Sequence, residues 1–167
     1  MVTRRDILLG TAGIAAIAAA GVGVLKWRGS EATAATEGRF EVTKTPEEWR
    51  KILTPQQYAV LREEDTEAPW TSPLNKEKRD GTFACAGCEL PLFASATKFE
   101  SGTGWPSFYT TIEGSVEKSD DFSLGMARDE VHCRRCGGHL GHVFNDGPKP
   151  TGLRYCINGV SLKFIPA

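Results

Sequence analysis

Apolar and polar positions divide the chain into three stretches with different periods. A nearly continuous apolar run, rich in Ala and Gly, extends from Ile7 to Leu25 behind the pair Arg4-Arg5. From Thr45 the pattern turns helical. Thr45-Pro46-Glu47-Glu48 and Thr54-Pro55-Gln56-Gln57 each place Thr at an N-cap, Pro at the first helical position and Glu or Gln at the third, the layout of a capping box. Two short helices are predicted, with Trp49, Ile52 and Leu53 on one face docked on the core. Glu63 to Asn75 has charges and prolines but no period, and reads as a surface loop.

From Gly81 onward short alternations separated by turns point to strands. Phe122, Leu124 and Met126 alternate with Ser123 and Gly125, as in a half-buried strand. Leu153, Tyr155 and Ile157 alternate with Arg154, Cys156 and Asn158, so the first three are expected on the core side and the second three on the opposite face. Gly159 would bulge that strand, because Leu162 and Phe164 continue on its polar side. The class this predicts is mainly β, with short N-terminal helices.

The apolar run changes the domain plan. Arg4-Arg5 ahead of it and the small residues Ala32-Thr33-Ala34 behind it match a signal peptide, and the paired arginines resemble a twin-arginine signal. An uncleaved membrane anchor is the alternative, since the run is about long enough to span a bilayer. The expected plan is a signal over residues 1–34, a linker over 35–44 and one domain over 45–167, placed in the periplasm or otherwise exported. Any membrane association would run through the N-terminal segment alone.

Composition adds exclusions. The 167 residues are 40% hydrophobic and 25% charged, with a formal net charge of −1, ordinary for one globular domain. Without residues 1–34 the chain keeps 16 basic and 19 acidic residues, a charge of −3. That gives no electrostatic reason to expect nucleic acid as a partner.

The cysteines carry the strongest chemical signal. Cys85-Ala86-Gly87-Cys88 and Cys133-Arg134-Arg135-Cys136 are two C-x-x-C knuckles. Each knuckle turns two thiolates towards one point, and two complete a tetrahedron around a structural zinc ion. Gly87 and Gly137 sit where such turns want a permissive backbone. Two disulfides are the alternative in an oxidising compartment, although a disulfide within one knuckle would staple little chain. Cys156 is the fifth cysteine. A buried inert thiol is its plain reading. Against that, Arg154 shares its strand face and would lower the thiol pKa, and His139 and His142 lie close enough upstream to return to the same site. A regular strand would put the two histidines on opposite faces unless Gly141 bends it. His132, beside a knuckle, is assigned no function.

Three blocks, Ser101-Gly102-Thr103-Gly104-Trp105-Pro106-Ser107-Phe108, then Gly138-His139-Leu140-Gly141-His142-Val143-Phe144-Asn145-Asp146-Gly147-Pro148, then Arg154-Tyr155-Cys156-Ile157-Asn158, resemble in order the signatures of the methionine-R-sulfoxide reductase B family. The resemblance runs from about Thr45 to the C-terminus. It implies two small antiparallel sheets in a β-tent arrangement, with zinc tying loops at the end away from the active site. It implies reduction of protein-bound methionine-R-sulfoxide, with Cys156 as nucleophile and His142 as general acid assisted by His139. Trp105 and Phe144 would wall the substrate methyl group, with Arg154, Asn158 and Asp146 as a polar surround. Many members carry a resolving cysteine where this chain has Thr103, so Cys156 is expected to work alone, recycled by a thioredoxin-like protein or a small thiol. Gly159 stands where the family often has Ser, and is expected to loosen the strand beside the nucleophile.

Two rivals fit less of the sequence. A non-enzymatic zinc module explains the knuckles but not Cys156 or the Trp105 block. A zinc hydrolase with His139 and His142 as ligands would need an open metal position, and four cysteines leave none.

Overall fold

The computed structural model describes residues 39–123 and 125–167. The expected signal over residues 1–34, the first part of the linker and Leu124 lie outside them. No helix among the described residues is long and apolar enough to cross a membrane.

Both capping boxes form. Helix α1 (Pro46–Ile52) is capped by the Thr45 side chain, which accepts from the Glu48 N–H at 3.2 Å, while the Thr45 N–H donates to the Glu48 carboxylate at 2.8 Å. Thr54 and Gln57 repeat the exchange at the start of α2 (Pro55–Glu63). Such a cap is worth about 1 kcal/mol, which matters in helices of seven and nine residues. Trp49 and Leu53 are buried as expected, but Ile52 is 55% exposed. It is the last residue of α1, and the turn to Thr54 carries it away from the core.

Among the described residues nine strands follow, in two antiparallel sheets. β1 (Gly81–Cys85), β2 (Pro91–Ala94) and β9 (Leu162–Pro166) form the smaller, in the order β2-β1-β9. The larger contains β3 (Lys98–Phe99), β4 (Ser107–Phe108), β5 (Val116–Asp121), β6 (Arg128–Cys133), β7 (His139–Phe144) and β8 (Arg154–Ile157), in the order β3-β4-β8-β7-β6-β5. Gly159 does not bulge β8. A 3-10 turn over Gly159–Ser161 ends it and sends the chain into the other sheet, where Leu162 and Phe164 pair with β1.

The two sheets share one core. Phe93 stacks on Phe108 with ring centroids 4.3 Å apart, Phe83 meets Phe108 edge-on at 5.0 Å, and Tyr155 closes the group against Phe93. Tyr155 and Ile157 point inward as the alternation predicted. Phe122 and Met126 do not: both are more than 60% exposed. They sit in the turn between β5 and β6, where the Gly125 N–H donates to the Phe122 carbonyl. Alternation across a hairpin tip imitates a strand, but no second layer covers it.

The last part of the expected linker is packed. The Val42 N–H donates to the Arg135 carbonyl, and Phe40 sets its ring edge-on to that of His132.

Candidate active site

The four knuckle cysteines come from the ends of β1 and β6. The Glu89 N–H closes the first turn on the Cys85 carbonyl, and the Gly137 N–H closes the second on that of Cys133, both at 2.8 Å. Gly137 takes the left-handed conformation expected of it. In the first knuckle Glu89, not Gly87, does so, because the left-handed position follows the second cysteine in both turns. All four sulfurs lie within 4.8 Å of one another. Cys85 and Cys136 approach to 3.7 Å and Cys88 and Cys133 to 3.5 Å. These contacts run between knuckles and are too long for disulfides, whose sulfurs stand about 2 Å apart. Thiolates around a tetrahedral zinc at about 2.3 Å would stand about 3.8 Å from one another, so the donor set and its spacing fit one such ion.

Cys156 lies elsewhere, in mid-sheet. Strand register places Ser119, Glu130, His142, Cys156 and Ser107 in one row across β5, β6, β7, β8 and β4. The row answers the objection to the His pair. A bulge in the pairing of β6 with β7 skips Leu140, matching Val131 to Gly141 and His132 to His139. Gly141 has φ 153°, and a Cβ there would meet the Cys156 carbonyl oxygen at 2.1 Å, so only glycine fits. The extra residue resets the alternation, and the His139 and His142 rings stand 5.4 Å apart.

Each histidine has its own carboxylate. His139 Nδ1 lies 2.8 Å from Glu130, whose other oxygen accepts from Ser119 at 2.6 Å. The bond to His139 is the main reason the Glu130 carboxyl falls to about 2. His142 Nε2 lies 2.7 Å from Asp121. Asp121 is held well below the usual carboxylate range, chiefly by the Ser123 N–H and then by Ser123 and His142 side-chain bonds. Ionised carboxylates only accept, so the facing nitrogens carry the protons. His142 then keeps Nδ1 free, and His139 keeps Nε2, which is buried with no partner among the described residues. Burial lowers the His142 pKa more than Asp121 raises it.

The Cys156 thiol departs from expectation. Arg154 does act to lower its pKa, as does Thr103, whose Oγ1 lies 3.8 Å from the sulfur. Burial outweighs both, and the net shift is upward. Arg154 is itself engaged bidentately by Asp146, at 2.8 and 2.9 Å, and lies 4.4 Å over the Phe144 ring.

A cavity of about 140 Å³ opens over this row, lined by Trp105, Arg128, His142, Phe144, Cys156 and Asn158, together with Thr66 and Gly141. A wider groove of about 700 Å³ lies across Glu41, Lys44 and Arg135, but none of the Cys156 group reaches it. Of the expected residues, Cys156, His142, Trp105, Phe144 and Asn158 meet in the smaller cavity. His139 stands beside it. Arg154 and Asp146 flank Phe144, and the knuckle cysteines form their own cluster. Asn158 is buried, bonding the Leu140 carbonyl and the Glu67 N–H.

The sequence reading missed Asp121, Arg128, Glu130 and Glu67. The Glu67 carboxylate accepts from the Gly159 and Val160 N–H groups at 2.6 and 3.1 Å, and its carbonyl accepts from the Trp105 indole at 3.0 Å. One residue of the apparently featureless loop thus fixes both Trp105 and the chain after Cys156. Burial pushes its carboxyl pKa up.

Residues 53–166 match the SelR domain. A Leptospira interrogans protein named peptide methionine sulfoxide reductase MsrB is 58% identical over 126 residues, which cover 75% of this chain and 96% of that one. Proteins of the same name from Pseudomonas putida strain W619 and Methanosarcina barkeri are each 58% identical, over 127 and 124 residues, covering 75% and 74% of this chain and 96% and 87% of theirs.

Proposed function

The chain belongs to the peptide methionine sulfoxide reductase MsrB family, and from that premise we propose that it reduces the R epimer of methionine sulfoxide in polypeptides through Cys156 alone. It is an oxidoreductase. The observation that carries the proposed mechanism is the pairing of Cys156 with His142 across β7 and β8, under a cavity walled by Trp105 and Phe144.

The resting pair is a thiol and a neutral imidazole, since burial raises the one pKa and lowers the other. As the sulfoxide enters, His142 Nδ1 takes the Cys156 proton and becomes an imidazolium held by Asp121. The thiolate attacks the sulfoxide sulfur, and the imidazolium returns the proton to the departing oxygen. Oxygen passes to Cys156 as a sulfenic acid. Cys156 loses two electrons, the substrate sulfur gains two, and methionine leaves. Trp105, its indole fixed by Glu67, and Phe144 receive the S-methyl group. His139, oriented by Glu130, assists His142. Arg154 and Asp146 brace Phe144 beside the charged sulfur, and Asn158 holds the β8 end in place.

A thiol from a thioredoxin-like protein or a small molecule attacks the sulfenic acid, releasing water and leaving a mixed disulfide that a second thiol reduces. Cys85, Cys88, Cys133 and Cys136 would hold one zinc ion. When bound, it supplies a cross-link and folding energy, not a reaction step. The Arg4-Arg5 pair and the apolar run after it support export, hence repair of oxidised methionine in exported proteins.

The test is reduction of the separated R and S epimers by the wild type and by Cys156→Ser. Wild type should consume only R, and the substitution should lower the rate by roughly a thousandfold or more. Turnover of S, or activity in Cys156→Ser, would refute the assignment.

A further inference from the structure

The cavity over Cys156, at about 140 Å³, has the room of about five water molecules. It admits one side chain and no backbone. If the substrate is a polypeptide, as the reading above has it, the residues on either side of the oxidised methionine must lie on the rim.

That rim carries exposed apolar groups on both sides. On the β4 side, Trp70 is 63% exposed although it is a large aromatic. It is held at φ 68°, in the left-handed region that bulky residues avoid. Its N–H donates to the Gly104 carbonyl at 2.7 Å, a carbonyl that also accepts from Asn75 at 2.8 Å. Gly104 immediately precedes Trp105, the cavity wall. Trp70 is therefore fixed to the wall and still faces solvent. On the β6 side, Phe122 and Met126 are 66% and 61% exposed. They ride on the turn between Asp121, which holds His142, and Arg128, which lines the cavity.

In the sheet order β4-β8-β7-β6, these two groups flank the Cys156 and His142 strands from opposite sides. Strands β4 and β6 themselves stand three strand spacings apart, about 14 Å. An extended chain covers that distance with about four residues.

We infer that Trp70 on one side and Phe122 with Met126 on the other form a two-sided apolar rim that binds the residues flanking methionine sulfoxide, and that it selects extended polypeptide segments with apolar neighbours. The occupant follows from continuity with the cavity: a segment whose oxidised side chain reaches Cys156 has to cross this rim.

The inference rests on the reductase reading, and the experiment separates the two. The full chain is assayed with N-acetylmethionine-R-sulfoxide, with a heptapeptide carrying Leu and Val on either side of methionine-R-sulfoxide, and with one carrying Gly and Ser there. Wild type should favour the apolar heptapeptide over both others by about tenfold in kcat/KM. Trp70→Gly, which suits the left-handed backbone, and Phe122→Ser, on an independent turn, should each lower the ratio of apolar heptapeptide to N-acetylmethionine-R-sulfoxide about threefold or more. The change should appear in KM. Equal kcat/KM for the three substrates in wild type, or ratios unchanged in both variants, overturns the rim. Inactivity of wild type on all three substrates removes the reductase reading and this inference with it.

Discussion

The Thr103 hydroxyl stands 3.8 Å from the Cys156 sulfur. It ends a chain of hydroxyls in which Ser101 Oγ contacts Thr103 Oγ1 at 2.8 Å and Ser107 Oγ at 2.7 Å. The position is close enough for a second thiol to reach the nucleophile. Under the proposed cycle, Thr103→Cys should therefore replace the external thiol with a disulfide closed within the chain. After one turnover without reductant, thiol titration under denaturing conditions should find two fewer thiols than before in the variant. Loss of one thiol only, with Cys156 held as a sulfenic acid and the residue-103 thiol still free, would show that the geometry does not permit closure.

The pH profile follows from the opposed shifts of Cys156 and His142. The productive state has one proton shared between them. Below the His142 pKa both groups are protonated and the thiolate cannot form. Above the Cys156 pKa no proton is left for the departing oxygen. With His142 lowered from 6.5 and Cys156 raised from 9.0, kcat/KM should be flat between these values, with an acid limb below 6.5 and an alkaline limb above 9.0. Asp121 raises the His142 pKa, so Asp121→Asn should move the acid limb to lower pH. His142→Ala should lower the rate by roughly 10²–10⁴-fold. A limb near neutrality would contradict the assignment.

Glu130 acts on His139 as a positioning residue. Glu130→Gln offers the His139 ring an amide in place of a carboxylate, so the tautomer is no longer fixed. The rate should fall by about 10–100-fold in kcat, with little change in KM. In NMR, the His139 Nδ1–H signal should be lost or displaced. A KM effect alone would point to a merely structural role.

Ser72 and Gly159 make a coupled pair. A Cβ added at Gly159 would meet Ser72 Oγ at 1.9 Å and Ser72 Cβ at 2.5 Å. The turn that follows the Cys156 strand is therefore tightly packed, contrary to the loosening that a glycine there suggests. Gly159→Ser should destabilise the fold by about 1–3 kcal/mol, and Ser72→Gly in the same chain should restore much of that loss. Thermal unfolding of the four members of the cycle measures the coupling. Additive effects would mean that Ser72 does not fill the space.

These relationships show what the sequence could and could not carry. Helix starts were legible because caps are local, set by Thr45 with Glu48 and Thr54 with Gln57. The four-cysteine cluster was legible because knuckle spacing is local too. Asp121 and Glu130 were not, because their meaning depends on the register of β5, β6 and β7: Gly141 hinted at a bend, but not at which residues of the neighbouring strands it would bring opposite the histidines. Glu67 was hidden in a loop whose hydrogen bonds reach across more than ninety positions. Phe122 and Met126 misled because alternation reports period but not what lies opposite.

Metal removal tests the other cluster. Cys85→Ser should abolish stoichiometric zinc and leave the chain largely unfolded, since such sites supply folding energy directly. Far-UV circular dichroism beside metal analysis reads both. A folded, active Cys85→Ser protein would contradict a structural zinc site.

The most direct test of the central claim is a single turnover. The full chain, reduced and freed of thiols, is mixed with one equivalent of a methionine-R-sulfoxide peptide and examined by intact-mass and peptide mass spectrometry. The account predicts one methionine peptide per chain and the mass of one oxygen atom gained at Cys156, trapped as a sulfenic acid by dimedone, with the four knuckle cysteines unmodified. A disulfide between Cys156 and any other cysteine of the chain, or oxygen on a knuckle cysteine with Cys156 still a thiol, would contradict it.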